Sequence, residues 1–334
     1  MKVAFVGKGG SGKTTLSALF ARRLAADGGT VVAVDADINQ HLGVALGLDE
    51  DEAARLPGMG GRLTEIKEYL RGTNPLIRSV AAMVKTTPPG RGSRLLRPGG
   101  GDPIHRELAR EVAGVRLMAA GAFTEEDLGV ACYHSKVGAV ELYLNHLVDL
   151  PGEYVVVDMT AGADSFASGM FTRFDLTFIV AEPTRQGVSV YRQYRDYAAE
   201  HQVALAVVGN KVTGPADVDF LREQVGGDLL VCLEHSPYVR ALEQGRYAEL
   251  NRLEPANLAA LDRLRAAVDA RPQDWEAFQS QAVAFHLKNA TAWANRATGE
   301  DLGAQVDPGF VHGPTALSAS LVHQPRQEWN SNVA

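Results

Sequence analysis

At 334 residues, with 46% hydrophobic and 22% charged side chains, the chain has the composition of an ordinary soluble globular protein and the length for one large α/β domain or two modest ones. Its formal net charge of −7, without any block of consecutive lysines or arginines, argues against nonspecific nucleic-acid binding, which rests on counterion release by basic side chains. No run approaches the ~18 apolar residues of a membrane span, the start has no signal-peptide pattern, and two cysteines cannot build a disulfide framework, so a cytoplasmic, reducing setting is expected.

The first apolar run, Val3 to Val6, leads into Gly7-Lys8-Gly9-Gly10-Ser11-Gly12-Lys13-Thr14-Thr15, and a helical pattern follows from Leu16 to Ala26. A strand that turns through glycines into a helix aims several backbone N–H groups and the positive helix end at one spot, which suits phosphate. Lys13 can reach the β- and γ-phosphates, Thr14 offers a hydroxyl to a phosphate-bound Mg2+, and the glycines allow close backbone approach. This is the P-loop pattern G-x-x-x-x-G-K-[ST]. Gly7, Gly9 and Gly12 also satisfy G-x-G-x-x-G, with Asp35 placed to serve a ribose, so a dinucleotide site is a competing reading. That reading leaves Lys13 and Thr14 without a role.

Lys8 puts a second cation in the loop. With it, the segment resembles the deviant Walker A P-loop of the MinD/ParA (SIMIBI) ATPases. In that family the early lysine reaches across a dimer to the partner's nucleotide, and the resemblance implies this for Lys8. Spacing alone places only a second positive charge near the phosphates.

The β-branched run Thr30 to Val34 predicts a buried parallel strand ending in Asp35-Ala36-Asp37, where open α/β sheets bind ligands. The family resemblance implies that Asp35 organises the Mg2+ water shell and that Asp37, in switch I, orients the attacking water. Thr64 to Leu70 reads as a short helix. From Lys85 to Pro103 the chain is rich in Pro and Gly, and a mobile, locally basic insertion is expected there.

Val115 to Ala120 predicts a strand, and Lys136 to Val148 an amphipathic helix; Cys132 and His134 lie between them. This region resembles the CooC-like branch of the family, accessory ATPases of nickel-enzyme (carbon monoxide dehydrogenase) maturation, in which a Cys-x-Cys pair binds metal across a dimer. Here only the first cysteine matches and His134 replaces the second. Thiolate and imidazole both bind Ni2+ or Zn2+, and a twofold axis would bring together two of each. A helix-leading cysteine beside a surface histidine is the alternative.

Tyr154 to Asp158 predicts the next buried strand, and Asp158 has the position of a Walker B aspartate holding the Mg2+ water shell. Gly162 is suited to place a backbone N–H near the γ-phosphate. Strands are expected over Leu176 to Ala181, Val203 to Gly209 and Leu229 to Leu233, with a helix over Val188 to His201. Asn210 and Lys211 end the middle strand of these three. The resemblance implies that Asn210 reads the adenine edge and that Glu234 to Tyr238 closes over the base; a plain turn asparagine is the alternative.

The expected architecture is a mainly parallel, doubly wound α/β sheet of the P-loop NTPase type over residues 1–270, with a weakly helical to disordered extension over 271–334. The extension lacks a basic amphipathic membrane helix. The expected reaction is Mg2+-dependent ATP hydrolysis coupled to dimerisation, with ATP and Mg2+ as cofactors and a client protein gripped or released, a metalloenzyme in the CooC-like reading. A ParA-like partition ATPase is the alternative function, and an NAD(P) oxidoreductase the outsider.

Overall fold

A computed structural model describes residues 1–122, 133–160, 166 and 169–322, with the side chains of all but 133–135, 321 and 322. Its strands are β1 (Lys2–Gly7), β2 (Thr30–Ala36), β3 (Arg110–Val112), β4 (Val115–Ala119), β5 (Glu153–Met159), β6 (Leu176–Ala181), β7 (Leu205–Val212) and β8 (Leu229–Glu234). Its helices are α1 (Lys13–Ala26), α2 (Leu42–Leu46), α3 (Glu50–Ala54), α4 (Leu63–Arg71), α5 (Pro103–Leu108), α6 (Tyr133–Asn145), α7 (Ser189–His201), α8 (Pro215–Val225), α9 (Pro237–Glu243), α10 (Pro255–Asp269), α11 (Trp275–Asn289), α12 (Asn295–Thr298) and α13 (Pro314–Val322).

The strands form one eight-stranded sheet in the order β3-β4-β2-β5-β1-β6-β7-β8. Every pairing is parallel except the β3–β4 hairpin. That hairpin was not evident from the apolar pattern, because β3 is short and mostly exposed. Its turn, Ala113-Gly114, has φ of 51° and 77°, the pair of positive values that a type I′ two-residue hairpin requires.

Strand residues alternate between the faces of the sheet, so Val3 and Phe5 join one core cluster while Ala4 and Val6 join the other. Helices cover both faces, which is why β1 and β5 are buried along their whole length and read as continuous apolar runs. Leu16, Leu19 and Phe20 of α1 and Leu261 and Leu264 of α10 pack on the first face. Phe5, Phe20 and Phe178 form an aromatic triangle there, with centroids 5.1–5.9 Å apart. Burying this much apolar surface is the main favourable term for the fold.

Two segments differ from the sequence expectation. Lys85 to Pro103 is irregular, as its breakers predict, yet Thr86, Thr87, Ser93, Arg94, Leu95 and Leu96 are buried. Leu96 pairs alongside Leu147, its N–H donating to the His146 carbonyl at 2.8 Å and its carbonyl accepting from the Val148 N–H at 2.9 Å, and Asn74 donates to Ser93 Oγ at 2.9 Å. The extension supplies the rest of the cover. Arg91 donates to Asp307 through Nε and Nη2 at 2.8 and 2.9 Å, Thr87 Oγ1 donates to Gln305, and Gln305 donates to the Ala82 carbonyl.

The extension is accordingly ordered over residues 271–322 rather than loose. Its α11 packs on the turn Gly169–Thr172, with Phe285 5.7 Å from Phe171, and the Phe278 carbonyl accepts a hydrogen bond from buried Arg173. Leu302 fills a small separate core with Ala82, Val84, Ala290 and Ala294. The final residues, 323–334, lie outside the described part.

Candidate functional site

The site lies where β1, β2 and β5 end, because parallel strands in register bring their C-terminal residues to one edge. Asp35 of β2 stands directly beside Asp158 of β5, and Phe5 of β1 beside Asp158 on its other side. Between β1 and α1 the loop passes through Gly12, whose φ of +90° and whose missing Cβ are both required: a Cβ there would lie 2.3 Å from Asn210 Nδ2. At Gly7 a Cβ would lie 2.6 Å from the Val180 carbonyl oxygen.

Lys13 opens α1 and its ammonium is buried, paired with Asp37 and 3.7 Å from Asp158 Oδ1. Thr14 Oγ1 donates to Asp158 Oδ2 at 2.6 Å. Ser17, one helical turn beyond Lys13, donates to the Lys13 carbonyl at 2.8 Å and lies 3.5 Å from Asp158 Oδ1. Sequence reading missed Ser17; the i, i+4 spacing from Lys13 is the signal that points to it.

Burial opposes the charge on Lys13, but Asp158, Asp37 and Asp35 together hold its pKa above the ordinary lysine value. Burial also pushes Asp158 up to about 6, against the pull of Lys13 and Thr14. Asp35 is raised to about 8 by burial and by the neighbouring Asp158. Three acidic side chains thus crowd one ammonium and resist being charged together. An all-oxygen donor set of this kind suits a hard divalent cation such as Mg2+, whose charge would favour the ionised forms.

Asp35 accepts the backbone N–H of Leu42 at 2.8 Å and that of Asp37 at 3.2 Å, so each of its oxygens already braces the turn into α2. This placement disfavours the dinucleotide reading, which needs that carboxylate for a ribose. Asp37 in turn accepts from the Asn39 backbone at 3.0 Å.

Lys8 is not with this group. Its Nζ donates to Gln186 Oε1 at 2.6 Å on the exposed side of the loop. Asn210 tucks beneath the loop and donates to the Ser11 carbonyl at 2.8 Å, while Lys211 bridges the Gly10 carbonyl and Glu182 Oε1 at 2.6 and 2.7 Å. Gln186 and Glu182 follow β6 and were not singled out from sequence; their partners lie far away in the chain. Gly9, Gly10 and Thr15 complete the loop.

Beside it opens a pocket of about 280 Å3, lined by Gly12, Thr15, Leu16, Asn210, Ser236 and Asn257 among others.

The nucleotide-binding domain named for CobQ, CobB, MinD and ParA (CbiA) matches residues 3–225, more than half of the chain. The chain belongs to this family of P-loop ATPases. The carbon monoxide dehydrogenase accessory protein CooC of Rhodospirillum rubrum is 28% identical over 246 residues, 73% of this chain and 87% of that protein. An uncharacterised ATP-binding protein of Methanocaldococcus jannaschii is 26% identical over 234 residues, 69% and 83% of the two chains. Among solved structures, the septum site-determining protein MinD of Pyrococcus horikoshii, complexed with Mg-ADP, superposes with a TM-score of 0.51 at 16% identity, covering 81% of this chain and 97% of that one. A putative plasmid partition protein of Borrelia burgdorferi bound to AMPPNP gives 0.52 at 12% identity, covering 79% and 97%. These two establish the shared fold.

Within this ATPase, Gly162 and Cys132 lie outside the described residues. His134 falls in the first turn of α6, whose first side chains are likewise outside them. Among the described residues no group of three or more His, Cys, Asp or Glu is arranged to hold a metal ion. Among those residues too, no helix is long and apolar enough to cross a membrane.

Proposed function

We propose that this ATPase is a Mg2+-dependent, ATP-dimerised switch that serves as an accessory factor for a client protein. The observation that carries the reading is the buried Lys13 ammonium held between Asp37 and Asp158, with the Thr14 hydroxyl on the same Asp158. Without a triphosphate, the lysine neutralises the carboxylates. A bound β,γ-phosphate offers it more negative charge, so Lys13 leaves Asp37, and Asp37 becomes free to orient the attacking water.

Mg2+, when bound with the nucleotide, would be held by Thr14 and Asp158 with Asp35 behind them, and would neutralise charge on the phosphates. The loop N–H groups of Gly9 to Thr15 would line the phosphates, and Asn210 with Lys211 would flank the base side; Gly162, suited by sequence to offer a further N–H to the γ-phosphate, lies outside the described residues. Lys8 gives up Gln186 and reaches into a second copy of the chain, where it offsets charge developing on that copy's phosphates.

The accessory role rests on the likeness to CooC, whose length the chain matches almost throughout. Cys132 and His134, doubled across a twofold axis, are the proposed ligands of a cargo Ni2+ or Zn2+. The client itself would be a metalloenzyme.

Light scattering with ADP and with ATP tests the switch. We expect a dimer with ATP alone, lost in Lys8→Ala; a wild-type chain that stays monomeric with ATP bound overturns the proposal. Metal analysis of the ATP-bound form, wild type against Cys132→Ser, tests the cargo site separately.

A further inference from the structure

The pocket beside the loop is closed on its far side by the segment Glu234 to Tyr238, which runs from the last residue of β8 through the short turn His235-Ser236 into the first turn of α9. A turn of this kind, left unbraced, would have to settle around a ligand at an entropic cost. Here two residues from the start of α10 hold it. Asn257 is 1% exposed, and its side chain mimics a neighbouring strand: Oδ1 accepts the Glu234 N–H at 2.9 Å and Nδ2 donates to the Glu234 carbonyl at 3.3 Å.

Glu254, the residue that precedes α10, accepts from Ser236 Oγ at 2.6 Å, from the Tyr238 N–H at 3.3 Å and from Asn257 Nδ2 at 3.1 Å. Ser236 is 6% exposed and also caps α9 by accepting the Val239 N–H at 3.0 Å. A carboxylate at a helix N-terminus is favoured by the helix dipole, so the anchor is itself anchored. Asn257 and Ser236 both line the pocket that Gly12 and Thr15 open onto.

We infer that Glu254 and Asn257 are positioning residues for the nucleotide base: they hold Glu234 to Tyr238 as a preformed wall beside the P-loop, so that the base is received without ordering the segment. The inference rests on the ATPase reading of the site and adds to it a role for α10, which the phosphate chemistry does not use. Neither side chain reaches the phosphate group of residues, so their loss weakens base binding while leaving phosphate capture and the chemical step alone.

Steady-state hydrolysis by the full chain, with Asn257→Ala and Glu254→Gln, tests this against tripolyphosphate as a base-free competitor. The expected result is a KM for ATP raised about tenfold, the worth of about one net hydrogen bond, with kcat within about twofold and tripolyphosphate inhibition unchanged. Glu254→Gln keeps the size and one acceptor, so it reports if Asn257→Ala fails to fold. An unchanged KM overturns the inference, and so does parallel loss of ATP and tripolyphosphate binding, which would mark the pair as purely structural. A wild-type chain that ignores ATP would instead remove the ATPase reading itself.

Discussion

Gly12 shows how tightly one position is determined. A methyl group there meets the Asn210 amide and must also sit at a φ that side chains rarely adopt. Gly12→Ala is therefore expected to destabilise the chain by ~1–3 kcal/mol and to weaken ATP binding, because Asn210 can no longer brace the loop through the Ser11 carbonyl. Urea denaturation and nucleotide titration check the two effects; full stability with full binding would mean that the loop relaxes freely. The residue identities of the phosphate loop are legible from sequence because the motif is contiguous. Lys8 on Gln186 and Ser17 near Asp158 were not, since each depends on a partner brought close by the sheet or by helical winding.

The elements with least signal in the sequence are the extension and the segment it covers. Alone, Lys85 to Pro103 cannot satisfy its backbone and buried side chains, and α11 to α13 have weak apolar stripes; the extension makes two small cores with the rest of the chain, one of Ala290, Ala294 and Leu302 with Ala82 and Val84, the other of Phe310 and Leu317 with Leu95 and Val148. Leu302 is fully buried in the first, so Leu302→Ala should cost ~2–5 kcal/mol. If the extension unfolds with the sheet, the single denaturation transition moves to lower urea; if it unfolds alone, an early second transition appears.

The link between the two segments also predicts a pH response. Hydrogen bonds from Arg91, with those from the Gly309 N–H, outweigh partial burial and hold Asp307 down to about 2. A carboxylate depressed in the folded state stabilises fully above its unfolded value near 3.8, and that contribution disappears as pH falls through about 2. Asp307→Asn should flatten stability against pH between roughly pH 4 and pH 2, as measured by thermal unfolding; an unchanged profile would sever Asp307 from acid stability.

At the scale of the whole molecule, the strand order and parallel register gather Lys13, Asp35, Asp37 and Asp158 at one end of the sheet, while Lys8 and Gln186 remain outside it. A lysine parked on a neutral amide is cheaply released, which is the physical basis for expecting it to serve a second copy once ATP is bound. The sequence by itself determined the alternating α/β order, the phosphate loop and the acidic strand ends, because each is written in a short stretch with local periodicity or a contiguous motif. Only the tertiary structure decided that the extension is part of the packed molecule, that Asp35 braces a turn, and that Glu254 and Asn257 hold the segment Glu234 to Tyr238 beside the pocket. Those features rest on contacts between residues far apart in the chain, and no local pattern encodes which distant groups will meet.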